Sequence, residues 1–80
     1  MAFLNEIVEA ARNYETVEIT YEKRTTGEIV VREIEPYSER GGYLFGYDVI
    51  EGTIKKFLIS NIISASKTGN KFIPRWEVEL

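Results

Sequence analysis

Three aromatic side chains at alternate positions, Tyr43, Phe45 and Tyr47, are followed within ten residues by a basic pair, Lys55 and Lys56. In an extended chain such rings share one face, and an exposed row of rings stacks on nucleobases, each worth about 1–3 kcal/mol in known cases. A cation beside them suits a ligand that joins a phosphate to a base. As strand neighbours Lys55 and Lys56 point to opposite faces, so one of them serves such a site. Lys55 is the candidate, flanked by Tyr43 and Tyr47 across a hairpin. Arg40, in the run SERGG at 38–42, adds a guanidinium able to clamp phosphate, and Gly41 and Gly42 let backbone approach it. Each feature also has a purely structural reading: Phe45 as core, the lysines as solvated surface, the SERGG run as a flexible turn.

Other charged residues read as structural. Arg32 sits between apolar strand neighbours, Val30 and Ile34, and calls for a cross-strand partner, Glu18 or Glu22. Glu33 and Glu35 share a strand face and form a nominal acid–base pair. No nucleophile, zinc pattern or phosphate loop accompanies them, so they read as solubilising charges. The chain has no histidine and no cysteine. It therefore lacks the commonest general acid–base, the commonest metal ligand and all thiolate chemistry. No catalytic residue, metal site or cofactor is expected.

Such side chains need a scaffold, and 80 residues with 44% apolar and 12% aromatic content suffice for one packed domain, expected to span residues 1–80. Phe3, Leu4, Ile7, Val8 and Ala11 recur at helical spacing and predict an amphipathic helix over about 2–13. After Asn13 the period changes to 2, predicting strands over about 16–23, 28–35, 43–48, 53–59, 62–67 and 72–79. A hairpin turn at 24–27 uses Gly27, and Pro36 ends the second strand because it cannot donate to a ladder. The second strand alternates imperfectly, which predicts a bulge or bend. Tyr37 reads as a packed corner residue. One helix and five to six short strands with frequent turns make a mainly β fold, a small antiparallel barrel.

The succession I-T-Y at 19–21, R-E-I-E-P-Y at 32–37, G-Y-L-F-G-Y-D at 42–48 and I-K-K-F-L-I-S-N-I at 54–62 resembles the WYL domain family. The resemblance extends from the helix to F-I-P-R at 72–75. It implies an SH3-like or Sm-like barrel and a regulatory, non-enzymatic ligand-binding module in transcription regulation or defence, with nucleic acids or nucleotides as ligands. Tyr43 and Leu44 match the last two letters of the name motif, while Gly42 stands where its Trp falls. Lys55 stands where the later strand carries its first Arg. Leu58, Ser60 and Asn61 replace residues that are often Arg, Asp and Arg, which reduces the basic character of that strand; Asn61 stands among the candidates at that end.

The candidate ligand-binding residues are thus Tyr43, Tyr47, Lys55, Arg40 and Asn61, and the expected ligand is single-stranded nucleic acid or a nucleotide. The net charge of −3 means that any such site is a local basic patch rather than a basic surface. The competing reading is a structural module that binds a protein partner or self-associates through an edge strand or the Trp76 segment, with no small ligand. No run approaches the length needed to span a bilayer and the first residues are not those of a signal peptide, so no membrane partner and a cytoplasmic location are expected.

Overall fold

The computed structural model describes residues 2–80, with side chains from Phe3 onward. Helix α1 (Ala2–Arg12) leads into strands β1 (Glu15–Glu22), β2 (Ile29–Arg40), β3 (Tyr43–Asp48) and β4 (Thr53–Leu58). A 3-10 turn (Ile59–Asn61) then joins β4 to β5 (Ile62–Lys71). The strands form one antiparallel sheet in the order β4-β3-β2-β1-β5. The mainly β fold with one N-terminal helix is therefore the one the periodicities predict, although the sheet is not closed by pairing of β4 with β5.

Curling takes the place of closure. In a flat sheet β1 and β4 would lie roughly 14 Å apart, three strand spacings. Yet Tyr21 of β1 and Phe57 of β4 meet edge to face with ring centroids 5.1 Å apart, and the Leu58 amide donates to the Tyr21 hydroxyl at 3.4 Å. Val17, Ile19, Ile34, Leu44, Phe57 and Ile62 line the concave side, and Ile7 and Ala10 of α1 complete the core. The small residues Ala10 and Ala11, both fully buried, let the helix approach the sheet closely. Each fully buried Ile or Leu contributes about 1.5–3 kcal/mol, which is what offsets the ordering of so short a chain.

β2 departs most from expectation. It does not end near Glu35 but runs through Pro36 to Arg40, with a register shift between Pro36 and Ser38 that leaves Tyr37 as the extra residue of a bulge. Pro36 is tolerated because β2 changes partner there. Its first half, to Ile34, pairs with β1, and its second half, from Ile34, pairs with β3. At Pro36 no β1 residue lies opposite, so the missing donor leaves no bond unfilled on that side. The loop expected at 38–42 shrinks to a two-residue turn, Gly41 and Gly42, both with positive φ (57° and 84°), as a tight hairpin between twisted strands requires.

The last two elements are also corrected. β5 continues through the turn expected at 68–71, its end held by pairing of Glu15 with Lys71. Residues 72–80 are not a sixth strand. They form an irregular strap beside the second half of β2, joined to it by one backbone hydrogen bond, from the Glu79 amide to the Tyr37 carbonyl at 2.7 Å. Pro36 offers no amide there, so a ladder cannot propagate. Among the described residues no helix is long and apolar enough to cross a membrane.

Gly46 lies opposite Pro36 in the β2–β3 ladder, and a Cβ there would come within 2.8 Å of the Glu35 carbonyl oxygen and 3.1 Å of Ile34 Cδ1. The close contact is with backbone, which cannot rotate aside. Gly46→Ala is therefore expected to lower stability by about 1–3 kcal/mol in urea unfolding, as overpacking does. A loss below about 0.5 kcal/mol would mean that the corner relaxes freely.

Candidate functional site

The four-residue β3–β4 turn pairs Gly46 with Lys55 and Phe45 with Lys56. Tyr43, Phe45 and Tyr47 accordingly share the convex face with Lys56, whereas Lys55 points to the concave side. Tyr43 and Tyr47 do not flank Lys55. The cation over Tyr43 is Lys56, with its Nζ 4.7 Å from the ring centroid. Arg24, on the β1–β2 turn, donates to the Tyr43 hydroxyl at 3.3 Å. The register that places Lys56 here follows from the turn length.

The other expected residues are drawn into internal contacts. Tyr47 is covered by the Arg75 guanidinium, 3.9 Å from the ring centroid. Arg40 pairs with Glu79 of the strap at 2.8 Å. Asn61 donates its side-chain amide to the Glu22 carbonyl at 3.0 Å, which ties the 3-10 turn to β1. Beneath the strap, Glu35 is buried rather than solubilising. It accepts two bonds from Arg75, Nε at 3.1 Å and Nη2 at 3.3 Å, and a third from the Tyr37 hydroxyl at 2.7 Å. Burial first, with the adjoining Glu35 carboxylate, pushes the Tyr37 phenol up to about 12 despite the Arg75 amide that favours its ionised form. Glu33 also has a structural role, as it accepts from Thr16 at 2.7 Å and from Asn70 at 3.0 Å.

Lys55 instead joins a group at the open mouth of the curled sheet. Tyr21, Lys23, Val30, Arg32, Glu51, Lys55, Lys56 and Phe57 line a hollow of about 300 Å³ there. Arg32 does not pair with Glu18 or Glu22, which project to the opposite face. Its Nε lies 3.7 Å from Asp48 Oδ2 and its Nη2 lies 3.8 Å from Glu51. Lys55 Nζ bridges the same two acids, 3.3 Å from Asp48 Oδ2 and 2.7 Å from Glu51 Oε1.

Asp48 anchors this arrangement. Its side chain is fully buried, and Oδ1 accepts the amides of Ile50 and Glu51, both at 3.0 Å, which shapes the turn. Oδ2 makes no hydrogen bond of good geometry and is balanced by the two nearby cations. Burial alone would raise this carboxyl. The Glu51 amide, the Lys55 ammonium and the Ile50 amide together outweigh burial and hold it below its ordinary value of 3.8.

Comparison with known proteins identifies the domain. The profile of the WYL domain matches residues 2–66. The chain belongs to the WYL domain family. Among solved structures this WYL domain is similar to the proteasome accessory factor B/C (PafBC) of Arthrobacter aurescens, at 29% identity and a TM-score of 0.75. That similarity covers 90% of this chain and 12% of the other, so the chain spans only a small part of that protein's length. No curated protein matches. The family match ends within β5, so F-I-P-R at 72–75 and the rest of the strap lie outside the matched span. The mouth, with Asp48, Lys55 and Arg32, lies within it.

Sequence reasoning missed Arg32, Lys23 and Glu51 as members of one cluster, because they meet only when the sheet curls. The available signal was Arg32 itself, a cation at an inward-facing strand position.

The depressed Asp48 carboxyl sets a pH dependence. A group whose folded value lies below its unfolded one contributes stability that is present above the unfolded value and lost as pH falls through the folded one. Asp48→Asn keeps an oxygen for the two turn amides but removes the charge. The variant is expected to be less stable than wild type at neutral pH, and the gap should narrow as pH falls below 3.8 in urea titrations from pH 7 to pH 2. A gap independent of pH would refute an ionised, cation-paired Asp48.

Proposed function

We propose that this WYL domain is a non-enzymatic regulatory module that takes an anionic ligand, a nucleotide or a short single-stranded nucleic acid, at the mouth of its curled sheet. The observation that carries the reading is the clustering of Lys23, Arg32 and Lys55 around one hollow, with Lys56 on its rim over Tyr43, in a chain of net charge −3. Arg24 stands beside them at Tyr43. Half of the ten Lys and Arg residues thus converge on one corner, which is how a local patch attracts phosphate against an unfavourable overall charge.

The hollow suits such a ligand in other ways. Tyr21, Val30 and Phe57 supply apolar and aromatic lining for a sugar or base, as ligand sites at barrel mouths do. Arg32 and Lys55 have only 25% of their side-chain surface exposed, so their charges act in a partly dehydrated setting. Tyr43, flanked by Arg24 and Lys56, extends the patch along the rim as a stacking platform. Membership in the WYL family supports a regulatory role. In this reading Tyr43 and Lys55 are retained from the sequence candidates, and Lys23, Arg32 and Lys56 join them.

The test is titration of labelled single-stranded DNA and RNA and of nucleotides at low salt, followed by fluorescence anisotropy. Lys55→Ala and Arg32→Ala are each expected to weaken binding about tenfold and to lower the slope of log affinity against log salt by about 0.7 for each lost phosphate contact. Tyr43→Ala should weaken single-strand binding by about 1–3 kcal/mol without changing that slope. Binding indifferent to all three substitutions, or absent at high protein concentration, would reject the site. A stable oligomer by light scattering together with no ligand binding would favour the self-associating module instead.

A further inference from the structure

The Glu51 carboxylate occupies the centre of the cationic cluster, bonded to Lys55 Nζ at 2.7 Å and 3.8 Å from Arg32 Nη2. Two acids therefore face the same two cations, but they are held very differently. Asp48 is fully buried, with Oδ1 committed to two amides, and cannot leave without unfolding the turn. Glu51 sits on an exposed turn with 49% of its side-chain surface in solvent. With half of its side-chain surface in solvent, Glu51 exchanges with other anions far more readily than Asp48.

We propose that Glu51 is a built-in competitor for the ligand: its carboxylate stands where an incoming phosphate binds Arg32 and Lys55, and binding requires it to swing out. The inference rests on the reading of the mouth as the ligand site and adds a device that governs its occupancy. The motion is confined to a side chain. The Glu51 backbone is pinned by its amide on Asp48 Oδ1, and the turn is closed by the Gly52 amide on the Asp48 carbonyl at 2.8 Å. Rotation about the Glu51 side-chain bonds clears the cations without moving a strand.

With Glu51 withdrawn, Asp48 is the one carboxylate still paired with Arg32 and Lys55, and the two cations share a single buried counter-charge. Lys23, which lines the same hollow, adds to the positive potential, and Glu28 tempers it through its pairing with Lys23 at 3.6 Å. A phosphate therefore finds a more positive site once Glu51 has moved, whereas with Glu51 in place the charges of Arg32 and Lys55 are matched by the two acids. The competitor also sets a threshold. A weak anion gains no more from the two cations than Glu51 already does, whereas a multiply charged phosphate gains more from them and is drawn by Lys23 as well.

The experiment compares wild type, Glu51→Gln and Glu18→Gln in the full chain, with labelled oligo-dT and with inorganic phosphate as probes. Glu18 lies on the opposite face of the sheet, exposed and unpaired among the described residues' ion pairs, so its loss controls for net charge. Glu51→Gln should bind oligo-dT roughly five- to tenfold tighter than wild type, the effect of removing one charge a few ångströms from a phosphate near the surface. Glu18→Gln should change affinity by less than about twofold, because distant exposed charges are screened. Wild type and Glu51→Gln binding equally would overturn the competitor while leaving the mouth as the ligand site. Binding by Glu51→Gln alone would support it most directly. Binding by neither variant to either probe would overturn both readings.

Discussion

Everything in this small fold depends on one strand serving two sets of neighbours. β2 gives its first half to β1 and its second half to β3, and the exchange takes place across Ile34, Glu35, Pro36 and Tyr37. A proline and a one-residue bulge at that point turn the strand sharply, and the turn brings β4 round to β1 so that Tyr21 can meet Phe57. The core, the mouth and the strap all follow from that change of direction. Gly46 opposite Pro36 leaves room for the Glu35 carbonyl, and Leu44 and Asp48, two positions to either side of it, are both buried on the concave face.

The distribution of charge follows the same geometry. Curling carries Arg32 from β2 and Lys55 from β4 to the same opening, where Asp48 holds them at the cost of burying an ionised carboxylate. Buried ion pairs of this sort seldom add net stability, since desolvation offsets much of the attraction. Their retention is better understood as placement. Asp48 fixes both the turn and the two cations relative to one another, so the proposed ligand would meet an ordered pair of donors rather than two wandering side chains.

Much of this could be read from the residues, and the failures have definite causes. Alternation in Val17, Ile19 and Tyr21 marked the inner face of β1, and helical spacing marked α1. The Lys55 placement failed for want of one step: strand ends at Asp48 and Thr53 with four residues between them already set Gly46 opposite Lys55. Pro36 misled because its missing donor matters only where a neighbour is present, and local sequence does not say where β1 stops pairing. Glu35 misled because its partner, Arg75, is forty residues away on a segment whose alternation resembled a strand. Periodicity reports which side chains share a face. It does not report that a backbone partner is missing, which is why the last segment became a strap.

That strap has a practical consequence for anyone observing the molecule in solution. Trp76 is the sole tryptophan of the chain, and it stacks on Tyr37 with centroids 3.9 Å apart, on the opposite side of the sheet from α1. Intrinsic fluorescence therefore watches the strap and the β2 corner, whereas far-ultraviolet dichroism watches the ladder and the helix. If the strap lifts before the sheet melts, the two signals will trace separate transitions. An emission change in this protein is a statement about its cover, and the fate of its core has to be read from another signal.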